Sequence, residues 1–276
     1  MSGYFLDPKT AEMSRAMYDA KGYDNLHLTS IEKANFNQGR SLDDLLLNGY
    51  SLDKIVDNKL ASEIINVRGN KDESRSKPFD QVFNFKDNQA LQEILKKILT
   101  GDIEKKISNY YYSNFAVIFA VLLKTLPKEE EDLQNNPSMA WHCDMGPSNH
   151  LKLLITLTDN DDHGGGTEYI DRTTTDLLKK VGYGFLPVEH RKFDLNPLAK
   201  KNNIPFKIDL LKPKCGEGIF FEPARTMHRG FRPTNGENDR LVLGFIPWTS
   251  NWEDFEEKNP GATFNNIGMA FPNINP

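Results

Sequence analysis

Apolar positions recur at helical spacing in the first hundred residues and give way to continuous, β-branched runs afterwards. From Ser41 the chain reads Ser-Leu-Asp-Asp-Leu-Leu-Leu-Asn-Gly-Tyr, with Leu42, Leu45 and Leu46 on one face, Ser41 as an N-cap and Asn48-Gly49 as a stop. That pattern predicts a short helix. Residues 90–99 place apolar side chains at 91, 94, 95, 98 and 99, the repeat of a helix with one buried face. Residues 115–126 then form an apolar run closed by Pro127, as in a strand covered on both faces. Residues 151–158, 204–211, 218–222 and 241–247 read as further strands, separated by turn signals such as Asn135-Asn136-Pro137, His163-Gly164-Gly165-Gly166 and Pro233-Thr234-Asn235-Gly236. Helices followed by many short strands predict a mainly β protein with flanking helices, a β-sandwich or jelly roll.

With 276 residues the chain can bury one large core, and a single domain is expected. Residues 1–40 show weak periodicity and read as an N-terminal extension, 41–250 as the core, and 251–276, rich in Asn and Pro, as a C-terminal strap. Residues 173–203, bearing Lys179, Lys180, Lys200 and Lys201, form a long insertion that serves either as a lid or substrate-selecting surface or as a peripheral decoration. A net charge of −5 leaves no basic footprint for a phosphate backbone, which argues against nucleic acid as a partner. The apolar runs fall short of the roughly 18 to 20 residues of a membrane helix, and the first residues lack the basic and apolar regions of a secretory signal. Two cysteines, Cys143 and Cys215, in so long a chain suit reduced thiols in the cytoplasm.

The sharpest local feature is Trp141-His142-Cys143-Asp144. In an extended chain His142 and Asp144 project to one face and Cys143 to the other. A His-x-Asp alone is common by chance, but His228 follows the strand at 218–222 and supplies a third ligand. Two histidines and one carboxylate make the facial triad of non-haem iron oxygenases, with coordination positions left for substrates. A structural zinc would want four closed ligands, usually with Cys. Beyond His228, the turn at 233–239 predicts a hairpin that pairs Gly244 near His228 and sets Arg240 four residues further along, about 14 Å away in extended chain. A five-carbon dicarboxylate fits that gap, and Arg is suited to hold a carboxylate with two charge-assisted hydrogen bonds.

On His142-Cys143-Asp144, His228 and Arg240 in that order, with Trp141 before the triad and a helix-rich first part, the sequence resembles the Fe(II)/2-oxoglutarate-dependent dioxygenases. Within them it is most similar to the phytanoyl-CoA dioxygenase-like family, over about residues 42–247. The resemblance implies a double-stranded β-helix of the cupin-like type, Fe(II) held by His142, Asp144 and His228, and 2-oxoglutarate held through its distal carboxylate by Arg240. Where relatives often carry a small hydroxyl residue two positions after the distal histidine, this chain has Gly230, so another group must assist Arg240. Lys124, at the end of the strand before the triad, and Thr167 are candidates for that cosubstrate contact, against readings as a surface lysine and a loop threonine. Lys152 is a further one. The stretch Gly164-Gly165-Gly166-Thr167-Glu168-Tyr169 looks like that of prolyl hydroxylases, which usually place Lys where Arg240 stands.

The activity so implied is hydroxylation of an unactivated C–H bond of a small molecule by O2, with 2-oxoglutarate converted to succinate and CO2. Asp144 argues for a hydroxylase, because related halogenases replace the carboxylate with a small residue. Two rivals stand beside it: a prolyl-type peptidyl hydroxylase, and a cupin-like metal-binding or sensing protein without turnover.

Overall fold

The computed structural model describes residues 44–247, apart from 78, 112–114, 128, 130–135, 145–149 and 160–163, together with 269–270. The extension and nearly all of the strap inferred from sequence lie outside the described residues, as do His27 and His163. The described chain begins with α1 (Asp44–Asn48), β1 (Tyr50–Lys54), α2 (Asn58–Asn66), β2 (Arg68–Lys71) and β3 (Asp80–Phe85). Next come α3 (Asn88–Ile98), α4 (Gly101–Tyr111), β4 (Phe115–Thr125), a 3-10 turn at Pro137–Met139, β5 (Leu151–Thr156) and β6 (Gly166–Ile170). The remainder comprises α5 (Arg172–Lys180), α6 (Asn196–Lys201), β7 (Asp209–Leu211), β8 (Glu217–Phe221), β9 (Met227–Phe231), β10 (Asn238–Pro247) and β11 (Met269–Ala270). Local chemistry sets the helix starts: the Asp57 and Asp87 carboxylates each accept an N–H of the first turn, from Leu60 and Ala90, both at 2.7 Å.

Two antiparallel sheets face each other. The larger runs β1-β8-β5-β10-β4-β3-β2, with β11 added alongside β4, and the smaller runs β7-β6-β9. Strand β10 explains why its sequence reads as an unbroken apolar run. Leu241, Leu243 and Phe245 are fully buried on the outer face of the sheet, packed with Ile64 of α2, Leu95 of α3 and Ile107 of α4. Arg240 and Val242 point the other way, toward the space between the sheets. Helices cover one face and the second sheet covers the opposite one, which is the double-stranded β-helix arrangement.

Several elements differ from the sequence reading. The strand expected over 204–211 is confined to Asp209–Leu211, and β6 occupies part of the Gly-rich stretch expected as loop. The hairpin expected around Gly236 does not form as a strand pair. β9 pairs with β6 in the smaller sheet, whereas β10 pairs with β4 and β5 in the larger one. Residues 232–237 therefore cross between sheets, and His228 and Arg240 approach from opposite walls. The 173–203 segment carries a second apolar cluster in which Leu178, Tyr183, Phe185 and Leu198 pack with Trp141, Cys143 and Met227.

Candidate active site

Residues 141–142 continue the smaller sheet beyond β9. The N–H of His142 donates to the His228 carbonyl at 3.1 Å, and the N–H of His228 returns the bond at 3.0 Å. Trp141 is tied on its far side by its N–H to the Lys192 carbonyl at 2.9 Å, and the Tyr183 hydroxyl donates to the Trp141 carbonyl at 2.9 Å. Asp144 is fixed by its N–H to the Pro223 carbonyl at 2.7 Å. The 173–203 segment thus backs the stretch of chain that carries two of the triad residues. Cys143 turns into that apolar cluster, away from the triad, and burial pushes its thiol up to about 11.

The three side chains converge. Asp144 Oδ1 lies 3.5 Å from His142 Nε2 and 3.8 Å from His228 Nε2, and one ligand atom from each residue falls within 4.8 Å of the others. Donors bonded at ~2.1 Å and at right angles sit about 3 Å apart, so the carboxylate arms are within an ångström of a metal-bound spacing. Each imidazole donates its Nδ1–H to a backbone carbonyl two residues earlier, His142 to Ala140 at 2.8 Å and His228 to Thr226 at 2.9 Å. That fixes the tautomer and leaves the Nε2 lone pair for a metal.

The electrostatics agree with that role. Burial, reinforced by His228, pushes His142 down to about 3, with Asp144 pulling the other way. Burial likewise lowers His228 against Asp144. Burial would raise the Asp144 carboxyl, but Lys152 and the imidazoles outweigh it and hold it well below the usual carboxylate range. Two neutral imidazoles and one carboxylate are the donor set a divalent first-row ion takes.

A cavity of about 390 Å³ contains the triad and extends to Arg240, with Leu123, Leu154, Val242 and Phe231 among its walls. Arg240 Nε donates to the neutral Asn238 side chain at 2.7 Å. Burial lowers its guanidinium while Asp80 opposes at longer range. Among the described residues no carboxylate forms a salt bridge with Arg240. A half-buried arginine on a cavity wall keeps its charge and is suited to an anion. Thr167, in β6, lines the same cavity and stands opposite Gly230 in β9.

Lys124 is not brought to the site. The register pairs Arg240 with Leu123, so the alternation of β4 turns Leu123 and Thr125 toward the cavity and Lys124 to the other face, where its ammonium pairs with Glu237. It remains the surface lysine of the alternative reading. Two contributions went unread in the sequence. Tyr169 lies two residues after Thr167 on the same face of β6, a signal that needed the strand to be recognised. Its buried hydroxyl makes no hydrogen bond of good geometry among the described residues, and burial raises it against the opposing influence of Thr167 and Arg240. Met139 fills the space beside Gly230, where a Cβ would come within 2.8 Å of the Met139 methyl; nothing in the sequence signals that contact.

No known family profile and no curated protein matches the chain. Among solved structures it is similar to the epimerase SnoN from nogalamycin biosynthesis, in complex with Fe3+, alpha ketoglutarate and nogalamycin RO, at TM-score 0.50 and 14% identity over 89% of this chain and 97% of that one. It is also similar to HygX from Streptomyces hygroscopicus with nickel and 2-oxoglutarate bound (TM-score 0.48, 11% identity, 74% and 84% covered). A Pseudomonas putida prolyl-4-hydroxylase follows at TM-score 0.43 and 12% identity, over 75% and 97%. At 14% identity the likeness to SnoN speaks for the fold alone, a double-stranded β-helix, and the site within it is a two-histidine, one-carboxylate triad.

Proposed function

We propose that the protein is a non-haem Fe(II)/2-oxoglutarate-dependent dioxygenase that hydroxylates a C–H bond of a small molecule in the cytoplasm, with the phytanoyl-CoA dioxygenase-like enzymes as its relatives. The observation that carries the reading is one cavity in which the triad and Arg240, half-buried and with no carboxylate salt bridge among the described residues, both present themselves. His142, Asp144 and His228 would hold the iron, and Arg240, with Thr167 and the Tyr169 hydroxyl beside it, the distal carboxylate of the keto acid. When bound, Fe(II) and 2-oxoglutarate supply the oxidation by O2 and release succinate and CO2. The chain's own part is to keep both Nε2 lone pairs on one point, hold Asp144 ionised and exclude water with the walls of Leu123, Leu154 and Val242. Aerobic incubation with Fe(II) and 2-oxoglutarate against a panel of amino acids, acyl thioesters and peptides, following succinate, is the test. A fully iron-loaded protein that forms no succinate across the panel would sink the reading in favour of a sensing role.

A further inference from the structure

The two oxygens of Asp144 have different surroundings. Oδ1 faces both imidazole Nε2 atoms, while Oδ2 is taken by the Lys152 ammonium. Lys152 lies in β5 between Phe221 of β8 and Gly244 of β10, on the cavity face. Gly244 is required at that level because a Cβ there would meet the Phe119 ring at 2.2 Å. The Phe119 ring therefore lies across the glycine. Together with Phe221 it flanks the ammonium, each ring centroid 6.0 Å from Nζ. Among the described residues Lys152 forms a salt bridge with Asp144 alone. Residues from four strands, among them a glycine and two aromatic rings, thus hold one cation against one oxygen of one metal-ligand candidate.

We propose that Lys152 is a positioning residue that keeps Asp144 a one-oxygen donor. A carboxylate can close on a metal through one oxygen or through both. With Oδ2 held by Lys152, only Oδ1 is available, so the triad occupies three positions and leaves the remaining ones to the keto acid and O2. The same cation reduces the net negative charge at the metal site, which weakens retention of the ion. The inference rests on the function proposed above and specifies how its metal site is kept open.

The test compares wild type with Lys152→Met, Lys152→Gln and Lys152→Arg as purified full-length chains. Co(II) binding is measured by calorimetry, and 2-oxoglutarate binding to the anaerobic Fe(II) protein by its charge-transfer absorption. Thermal midpoints without metal check folding. Removing the ammonium is expected to tighten Co(II) binding and weaken 2-oxoglutarate binding, each about tenfold, because Asp144 then fills a position the keto acid needs. Lys152→Arg, which keeps a cationic donor, should restore both values toward wild type. Parallel weakening of both ligands would reduce Lys152 to a structural prop, and unchanged affinities would mean that it leaves Asp144 once metal enters; either overturns the proposal. A wild-type Fe(II) protein that binds no 2-oxoglutarate would overturn the function itself, a result distinguishable because it appears before any substitution is made.

Discussion

His142 and His228, 86 positions apart in the chain, form a reciprocal backbone pair in which each N–H donates to the carbonyl of the other, at 3.1 and 3.0 Å. Their rings lie 4.5 Å apart between centroids. Main-chain pairing therefore sets the imidazole separation before any metal is present, and the Nδ1–H bonds to Ala140 and Thr226 set the direction of each Nε2. Such pre-organisation avoids ordering the ligands at the moment of binding.

His142→Ala and Asp144→Ala should therefore abolish retention of divalent metal while leaving the fold in place, since neither side chain belongs to the apolar clusters. Metal content after desalting, read beside the thermal midpoint of the metal-free protein, checks this. Retained iron in either variant would exclude the triad as the centre.

Arg240→Ala should spare the metal and raise the 2-oxoglutarate requirement by about 10- to 100-fold, the range expected for losing charge-assisted hydrogen bonds to a carboxylate. Succinate formation at graded 2-oxoglutarate provides the readout. An unchanged requirement would assign the distal carboxylate to another group.

Gly230→Ser places a hydroxyl two positions after His228, but the Met139 methyl and sulfur lie 2.8 and 3.0 Å from the new Cβ. The substitution alone should cost about 1 to 3 kcal/mol through overpacking. Combined with Met139→Ala, which opens that space, it should lose less than the two single changes added together. A double-mutant cycle in urea measures the coupling, and strict additivity would show that the contact does not matter.

Behind the site, Glu222 is 1% exposed and accepts from the Tyr110 hydroxyl at 2.6 Å and from Arg172 Nε at 2.8 Å. Glu222 opens the 222–228 stretch whose Pro223 and Thr226 carbonyls hold Asp144 and His228. Glu222→Leu should destabilise the protein by about 3 to 5 kcal/mol, because Arg172 stays buried without its carboxylate. Changing Arg172 to Leu as well should recover part of the loss. Urea midpoints decide, and a double variant no better than the single one would contradict the account.

The outcomes for individual residues show where sequence reasoning held. The convergence of His142 and Asp144, and the outward turn of Cys143, follow from alternation in extended chain, a property of two residues at a fixed separation. Lys124 failed for a related reason. Its placement depends on which β4 residue stands opposite Arg240, and a one-residue change of register exchanges the two faces of a strand. Thr167, read either as a cosubstrate contact or as a loop threonine, stands in a strand on the cavity wall, and without that strand Tyr169 two positions on went unread. The Arg240 distance was argued from a hairpin that does not form, although both residues do reach one cavity from opposite sheets.

The sequence by itself determined the amphipathic helix near 90–99, the apolar runs that need covering on both faces, and the residue types that can serve as a triad and a carboxylate anchor. These depend on local periodicity and side-chain chemistry. The expected order of helices first and strands afterwards, by contrast, gives way to β1, β2 and β3 interleaved with the first helices and to α5 and α6 after β6. Tertiary structure alone decided that β9 and β10 lie in opposite sheets, that Lys152 takes one oxygen of Asp144, that Met139 occupies the space beside Gly230 and that the 173–203 segment backs Trp141. Each of those is a contact between residues distant in the chain, and such contacts are fixed by which sheets pair and how side chains fill the space between them, neither of which has a signature in the order of residues.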